Sequence, residues 1–95
     1  MERNNREETI ILDEKENETY SKIYKDNLLV RETWHKNGKF HRLDDLPAWI
    51  EYYRNGNKNV MYWVKNGFKK RENDLPSEIS FYENGNIEEA LWCIG

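Results

Sequence analysis

Apolar and polar positions alternate along most of this chain in runs too short for helices. Ala48-Trp49-Ile50-Glu51-Tyr52-Tyr53 and Ser77-Glu78-Ile79-Ser80-Phe81-Tyr82 both alternate with a period of two, the period of a strand with two unlike faces. That pattern predicts one buried face carrying Ile50 and Tyr52, or Ile79 and Phe81. The opposite face carries Trp49 and Glu51, or Glu78 and Ser80, with Tyr53 and Tyr82. Thr9 to Leu12 is a further β-type run, ended by the polar stretch Asp13 to Glu18, and residues 1–8 lack apolar periodicity and are expected to be a flexible N-terminus. Helical periodicity is absent over any helical length, so the pattern predicts an all-β chain.

Turn chemistry supports the same reading. Asn-Gly occurs at Asn37-Gly38, Asn55-Gly56, Asn66-Gly67 and Asn84-Gly85, each time between β-branched and aromatic residues. Such pairs suit two-residue hairpins, which need positive φ at both central positions. Asp26-Asn27 tolerates the same conformation and is expected to turn the chain likewise. Leu43 to Pro47 and Glu72 to Pro76 are read as longer connections ended by proline, with the aspartates making side-chain turns.

A fixed interval organises these elements. Trp34, Asn37, Gly38, Asp45, Leu46, Pro47, Tyr53, Asn55 and Gly56 return, all at one constant offset, as Trp63, Asn66, Gly67, Asp74, Leu75, Pro76, Tyr82, Asn84 and Gly85. Trp92 continues the series. An interval of this length predicts stacked units that bury apolar surface against their neighbours, with residues 9–95 forming one β-repeat domain. Trp63, within the only complete unit, is expected to pack against both neighbours.

Ninety-five residues support one thin core, to which an aromatic share of 14% contributes large buried surfaces. Net charge is -3, but its distribution is uneven. Residues 34–75 hold nine Lys/Arg against five Asp/Glu, whereas residues 76–95 hold four Glu and no Lys or Arg. The overall balance argues against a general nucleic-acid or membrane binder. A lone cysteine, Cys93, allows no internal disulfide, and the charged start MERNNREE is unlike a signal peptide, so a cytoplasmic location is expected. Abundant Asn, Lys, Glu, Ile and Tyr with no Gln resembles the usage of AT-rich bacterial or phage genomes.

Candidate chemistry is sparse. His35, His41, Asp44 and Asp45 could in principle act as acid, base or metal ligands, but the matching positions one interval on are Val64, Lys70, Asn73 and Asp74. The sequence is therefore read as having no catalytic residues, no metal site and no cofactor. Lys65, Phe68, Lys69, Lys70 and Arg71, beside Tyr62, form a basic and aromatic cluster of the kind that can bind single-stranded nucleic acid. A terminal strand ending at Gly95 would leave an unpaired edge, which invites another chain or an edge-strand dimer.

Trp-x-x-Asn-Gly, Asp-Leu-Pro and Tyr-x-Asn-Gly recur in that order, and with them residues 20–95 resemble MORN-variant repeats. Such repeats occur in the bacterial YwqK-type antitoxin-like family and in related bacterial and phage proteins. Trp34-His35-Lys36-Asn37-Gly38-Lys39-Phe40-His41-Arg42 is the closest match, and Trp63 to Arg71 a looser copy. The resemblance implies an antiparallel β-meander of about two and a half units used as a binding surface. Leu46 and Leu75 depart from it, standing where the family usually has Gly.

Together these features predict a small non-enzymatic protein that binds and inhibits a bacterial protein partner with a basic surface. Antitoxin-like proteins and phage-encoded inhibitors of defence nucleases, such as anti-CRISPR proteins, have this character. Trp49, Tyr62, Glu78, Glu83, Glu88 and Glu89 are the expected partner-binding residues. The alternative is an RNA or single-stranded nucleic-acid module using the hairpin at 62–71.

Overall fold

The computed structural model describes residues 7–15 and 17–92, with side chains from Asn17 onward. All regular elements among the described residues are strands, and all their pairings are antiparallel. The main sheet runs in the order β1 (Glu7–Lys15), β2 (Glu18–Lys25), β3 (Leu28–Lys36), β5 (Trp49–Tyr52), β6 (Lys58–Tyr62), β9 (Glu78–Phe81) and β10 (Ile87–Leu91). β4 (Lys39–Phe40) folds back on β3, and β7 (Val64–Lys65) pairs with β8 (Phe68–Lys69) as a separate hairpin. With extents of 50 × 36 × 17 Å, the molecule is a slab whose thinnest dimension leaves little room for a second layer.

Residues opposite one another in an antiparallel ladder share a face. Tyr20, Trp34, Glu32, Ile50, Met61, Ile79 and Ala90 therefore lie on one face, and Thr33, Trp49, Tyr62, Glu78 and Leu91 on the other. The expected division of Ile50 from Trp49 is observed. Ile50 is buried, while Tyr52, Ile79 and Phe81 are only half-buried because no second layer covers them.

Trp63 is buried on the Ile50 face, as its place in the series predicts. Its indole N–H donates to the Asp45 carbonyl at 3.0 Å, and the Arg71 guanidinium lies 3.8 Å above its ring while Nη1 donates to the Pro76 carbonyl. Arg42 covers Trp34 at 3.7 Å and donates to the Pro47 carbonyl in the same way. The Trp92 indole donates to the Asp74 carbonyl at 2.9 Å. Equivalent contacts thus recur at the interval of the sequence repeat, and each ties a longer connection onto the sheet.

Several local expectations need correction. The first strand does not stop at Leu12: β1 runs through the polar residues to Lys15, because a continuous ladder with β2 carries it on past a bulge at Ile11/Asp13. It also includes Glu7 and Glu8, at the end of the segment expected to be flexible; residues 1–6 of that segment, and Cys93, lie outside the described residues. Positive φ at both positions is found at Asp26-Asn27, Asn37-Gly38 and Asn66-Gly67, but at Asn55-Gly56 and Asn84-Gly85 only the glycine is left-handed. These two turns are wider. The first is closed by Tyr53 N–H to Asn57 O and Gly56 N–H to Tyr53 O, with Asn57 N–H donating to Asn55 Oδ1. In the longer connections, Asp44, Asp45, Asn73 and Asp74 themselves adopt left-handed φ, so the reversal is made by the backbone rather than by side-chain turns.

Candidate functional site

On the Trp49 face the ladder sets Thr33, Trp49, Tyr62 and Glu78 side by side across four strands. Aromatic rings make a continuous row here. His35 packs against Phe40 at 4.4 Å, Phe40 meets Trp49 edge-on at 5.1 Å, and Trp49 meets Tyr62 at 6.1 Å. These separations suit favourable ring contacts, each contributing about 0.5–1.5 kcal/mol beyond area burial. β4 brings Phe40 to the row and β7 brings Val64, enclosing a shallow apolar hollow of about 200 Å³ with Trp49, Tyr62 and Lys69 at its walls.

Charged groups frame the row. Arg31 sits 4.7 Å from the Trp49 ring centroid, and the Trp49 indole N–H donates to Glu51 Oε1 at 2.8 Å. Lys69 Nζ lies 4.5 Å from the Tyr62 centroid and 2.5 Å from Glu78 Oε1. Burial, reinforced by Glu78, raises the Tyr62 phenol above its ordinary value. Each ring of Trp49 and Tyr62 thus carries a cation with a carboxylate close by.

Of the six expected partner-binding residues, Trp49, Tyr62 and Glu78 are therefore brought into one row. Glu88 and Glu89 lie exposed on β10 and Glu83 on the turn before it, so the acidic end adjoins the row at Glu78. The candidate nucleic-acid contacts lie on the β7–β8 hairpin and just after it. Phe68 is 75% exposed there. Lys65 pairs with Glu72 at 3.2 Å, Lys69 with Glu78, and Arg71 with Asp45 at 2.8 Å, which leaves Lys70 without an ion pair of this kind among the described residues. The basic stretch is largely neutralised by local carboxylates.

His35, His41 and Asp44 line a second hollow of about 310 Å³, yet each histidine has a local partner. His41 Nδ1 accepts the Asn66 N–H at 3.0 Å and so fixes the β7–β8 turn, while burial against Phe40 lowers the His35 pKa. Asp45 turns to Arg71, whose hydrogen bonds lower its pKa. Among the described residues, no group of three or more His, Cys, Asp or Glu could hold a metal, and no helix is long and apolar enough to cross a membrane.

On the Ile50 face, the Glu32 carboxylate accepts hydrogen bonds from both Tyr20 and Tyr52, and Tyr20 stacks on Trp34 at 4.8 Å. Desolvation, then the hydrogen bond to Glu32, pushes Tyr20 up to about 12 and raises Tyr52 as well. Sequence patterning does not single out this trio, nor Phe40 and Arg31. Tyr20, Glu32 and Tyr52 are brought together by strands far apart in the chain, and only the register shows it. No family model, curated protein or solved structure matches this chain.

Proposed function

We propose that this chain is a MORN-variant β-meander of about two and a half repeat units, working as a non-enzymatic binding protein that occludes a surface of a bacterial protein partner. One observation carries the binding reading: an uncovered sheet face presents the row Phe40, Trp49 and Tyr62 and runs directly into the acidic end at Glu78. Aromatic anchors beside charged groups are what protein interfaces concentrate. Carboxylates at Glu83, Glu88 and Glu89, with no Lys or Arg after Arg71, match a basic partner surface, while Glu78 is already paired with Lys69. Ion pairing of Lys65, Lys69 and Arg71 favours this over the nucleic-acid reading, since a phosphate backbone would have to compete with Glu72, Glu78 and Asp45. An inhibitor of the antitoxin or phage anti-defence kind is the role that fits a small protein acting by occupancy alone.

Capture from bacterial lysate, run both without and with nuclease treatment, on immobilised wild type and on a Trp49→Ala/Tyr62→Ala variant, tests the reading. One protein retained in near 1:1 amount by wild type and lost from the variant supports it. Retention of nucleic acid, or of the same proteins by both, contradicts it.

A further inference from the structure

Strand β9 shows how this protein captures a strand. Beyond its ladder with β6, it is held at both ends by donors from the preceding residues: the Trp63 backbone N–H to Ser77 O at 2.8 Å, Tyr53 Oη to Phe81 O at 2.6 Å, and Asn55 Nδ2 and Asn57 Nδ2 to Glu83 O at 2.9 and 2.8 Å. All four bonds end on backbone carbonyls. The clamp therefore reads extended backbone and leaves side-chain identity free.

At the β10 edge the same donor set is presented again, one repeat interval on, as the Trp92 backbone N–H, Tyr82 Oη, Asn84 Nδ2 and Asn86 Nδ2. The supporting turn repeats bond for bond. Tyr82 N–H donates to Asn86 O at 2.9 Å, Gly85 N–H to Tyr82 O at 3.0 Å, and Asn86 N–H to Asn84 Oδ1 at 2.9 Å, as at Tyr53, Gly56 and Asn57. Among the described residues β10 is the last strand of the sheet, and none of them accepts from these four donors. Tyr82 and Trp92 are 51% and 52% exposed.

We propose that the β10 edge, with Tyr82, Asn84, Asn86 and Trp92 as its clamp, captures an extended basic segment of the protein partner as an added antiparallel strand. This rests on the binding reading above and gives it a mode. Charge selects the occupant. By the β6–β9 register, a captured strand sets one residue opposite Leu91 and another opposite Glu89, with Glu88 and Glu83 nearby. A second copy fits poorly: pairing β10 with β10 gathers two sets of carboxylates, and β1, EETIILDEK, carries four acids to one lysine. A strand bearing Lys or Arg answers these carboxylates.

The test uses the full chain, isotopically labelled for NMR, titrated to millimolar concentration with the peptide Ser-Lys-Ile-Lys-Phe-Tyr-Lys, the β9 sequence made basic. Two versions N-methylated at alternate amides, one for each edge of the peptide strand, are titrated in parallel. Strand capture predicts shifts centred on Tyr82, Asn84, Asn86 and β10, with one methylated version binding and the other not. Tyr82→Phe and Asn86→Ala should each weaken binding roughly three- to tenfold, the effect of one net hydrogen bond, while leaving the melting temperature unchanged. Tyr53→Phe, by contrast, should lower it. Equal binding of both methylated peptides, shifts confined to the Trp49 face, or no shift at all overturns the proposal, as does self-association through β10 that the peptide fails to displace. A native partner that is lost with Trp49→Ala/Tyr62→Ala but retained with Tyr82→Phe/Asn86→Ala removes strand capture and leaves the binding reading standing. Retention by both pairs removes the binding reading itself.

Discussion

Arg71 places its guanidinium carbon 3.8 Å from the Trp63 ring centroid and, from that position, bridges two separate connections: Nη1 reaches the Pro76 carbonyl, and Nε and Nη2 grip the Asp45 carboxylate. The pair is the centre of the packing, since Trp63 in turn donates to the Asp45 carbonyl. Trp63→Ala should remove about 3–5 kcal/mol, comparable to the whole stability of a small domain, and leave the chain largely unfolded by circular dichroism. Arg71→Lys keeps the charge but loses the planar stack and the forked hydrogen bonds, and should cost about 1–3 kcal/mol in a denaturant melt. A melt of Trp63→Ala close to wild type would show that the indole does not organise the sheet.

Glu32 should govern alkaline stability. Burial and its carboxylate raise Tyr20 to about 12 from an ordinary 10, so between those values the folded chain keeps a proton that the unfolded chain has lost. Stability from this source is complete below about pH 10 and falls as pH rises towards 12. Absorbance titration near 295 nm should show Tyr20 and Tyr52 titrating late in wild type, alongside Tyr62, and Glu32→Gln should bring the first two to lower pH while leaving Tyr62 in place. Unchanged titration of the variant would mean the two hydroxyls are not held by Glu32.

His35 acts at the opposite end of the scale. Burial lowers its pKa from 6.5, so as pH falls the unfolded chain takes up the proton first and the fold loses stability from about pH 6.5 downward. His35→Phe retains a ring against Phe40 and removes the titration. Its melting temperature should therefore decline less steeply than wild type between pH 7.5 and 5; parallel declines would place the imidazole in solvent.

Much of this fold is legible from short stretches of sequence, because Asn-Gly pairs and period-two alternation are local signals of chain reversal and of strand. Ile50 and Trp49 fall on opposite faces as alternation requires, and Asp26-Asn27 turns with φ of 53° and 66°. What stayed hidden depends on register or on competition between turn types. Asn55-Gly56 carries the same dipeptide as Asn37-Gly38, yet Asn55 Oδ1 takes the Asn57 N–H and the turn widens, leaving Asn55 Nδ2 to reach the Glu83 carbonyl in the turn after β9. Phe40 joins Trp49 only because the two-residue β4 folds back on β3, a pairing too short to announce itself by alternation.

Association kinetics with the captured partner test most directly whether the acidic end and its adjoining aromatic row meet a basic protein surface. Glu83, Glu88 and Glu89 are all exposed and, among the described residues, free of ion pairs of the kind that engages Glu78. Complementary charge mainly raises the rate of encounter. A Glu83→Lys/Glu88→Lys/Glu89→Lys variant should fold normally and associate at least about tenfold more slowly at low salt, approaching wild type as salt rises and screening shortens. Association at the wild-type rate, together with loss of binding when Lys65, Lys69 and Lys70 are reversed to Glu, would contradict the account and place the interface on the basic hairpin.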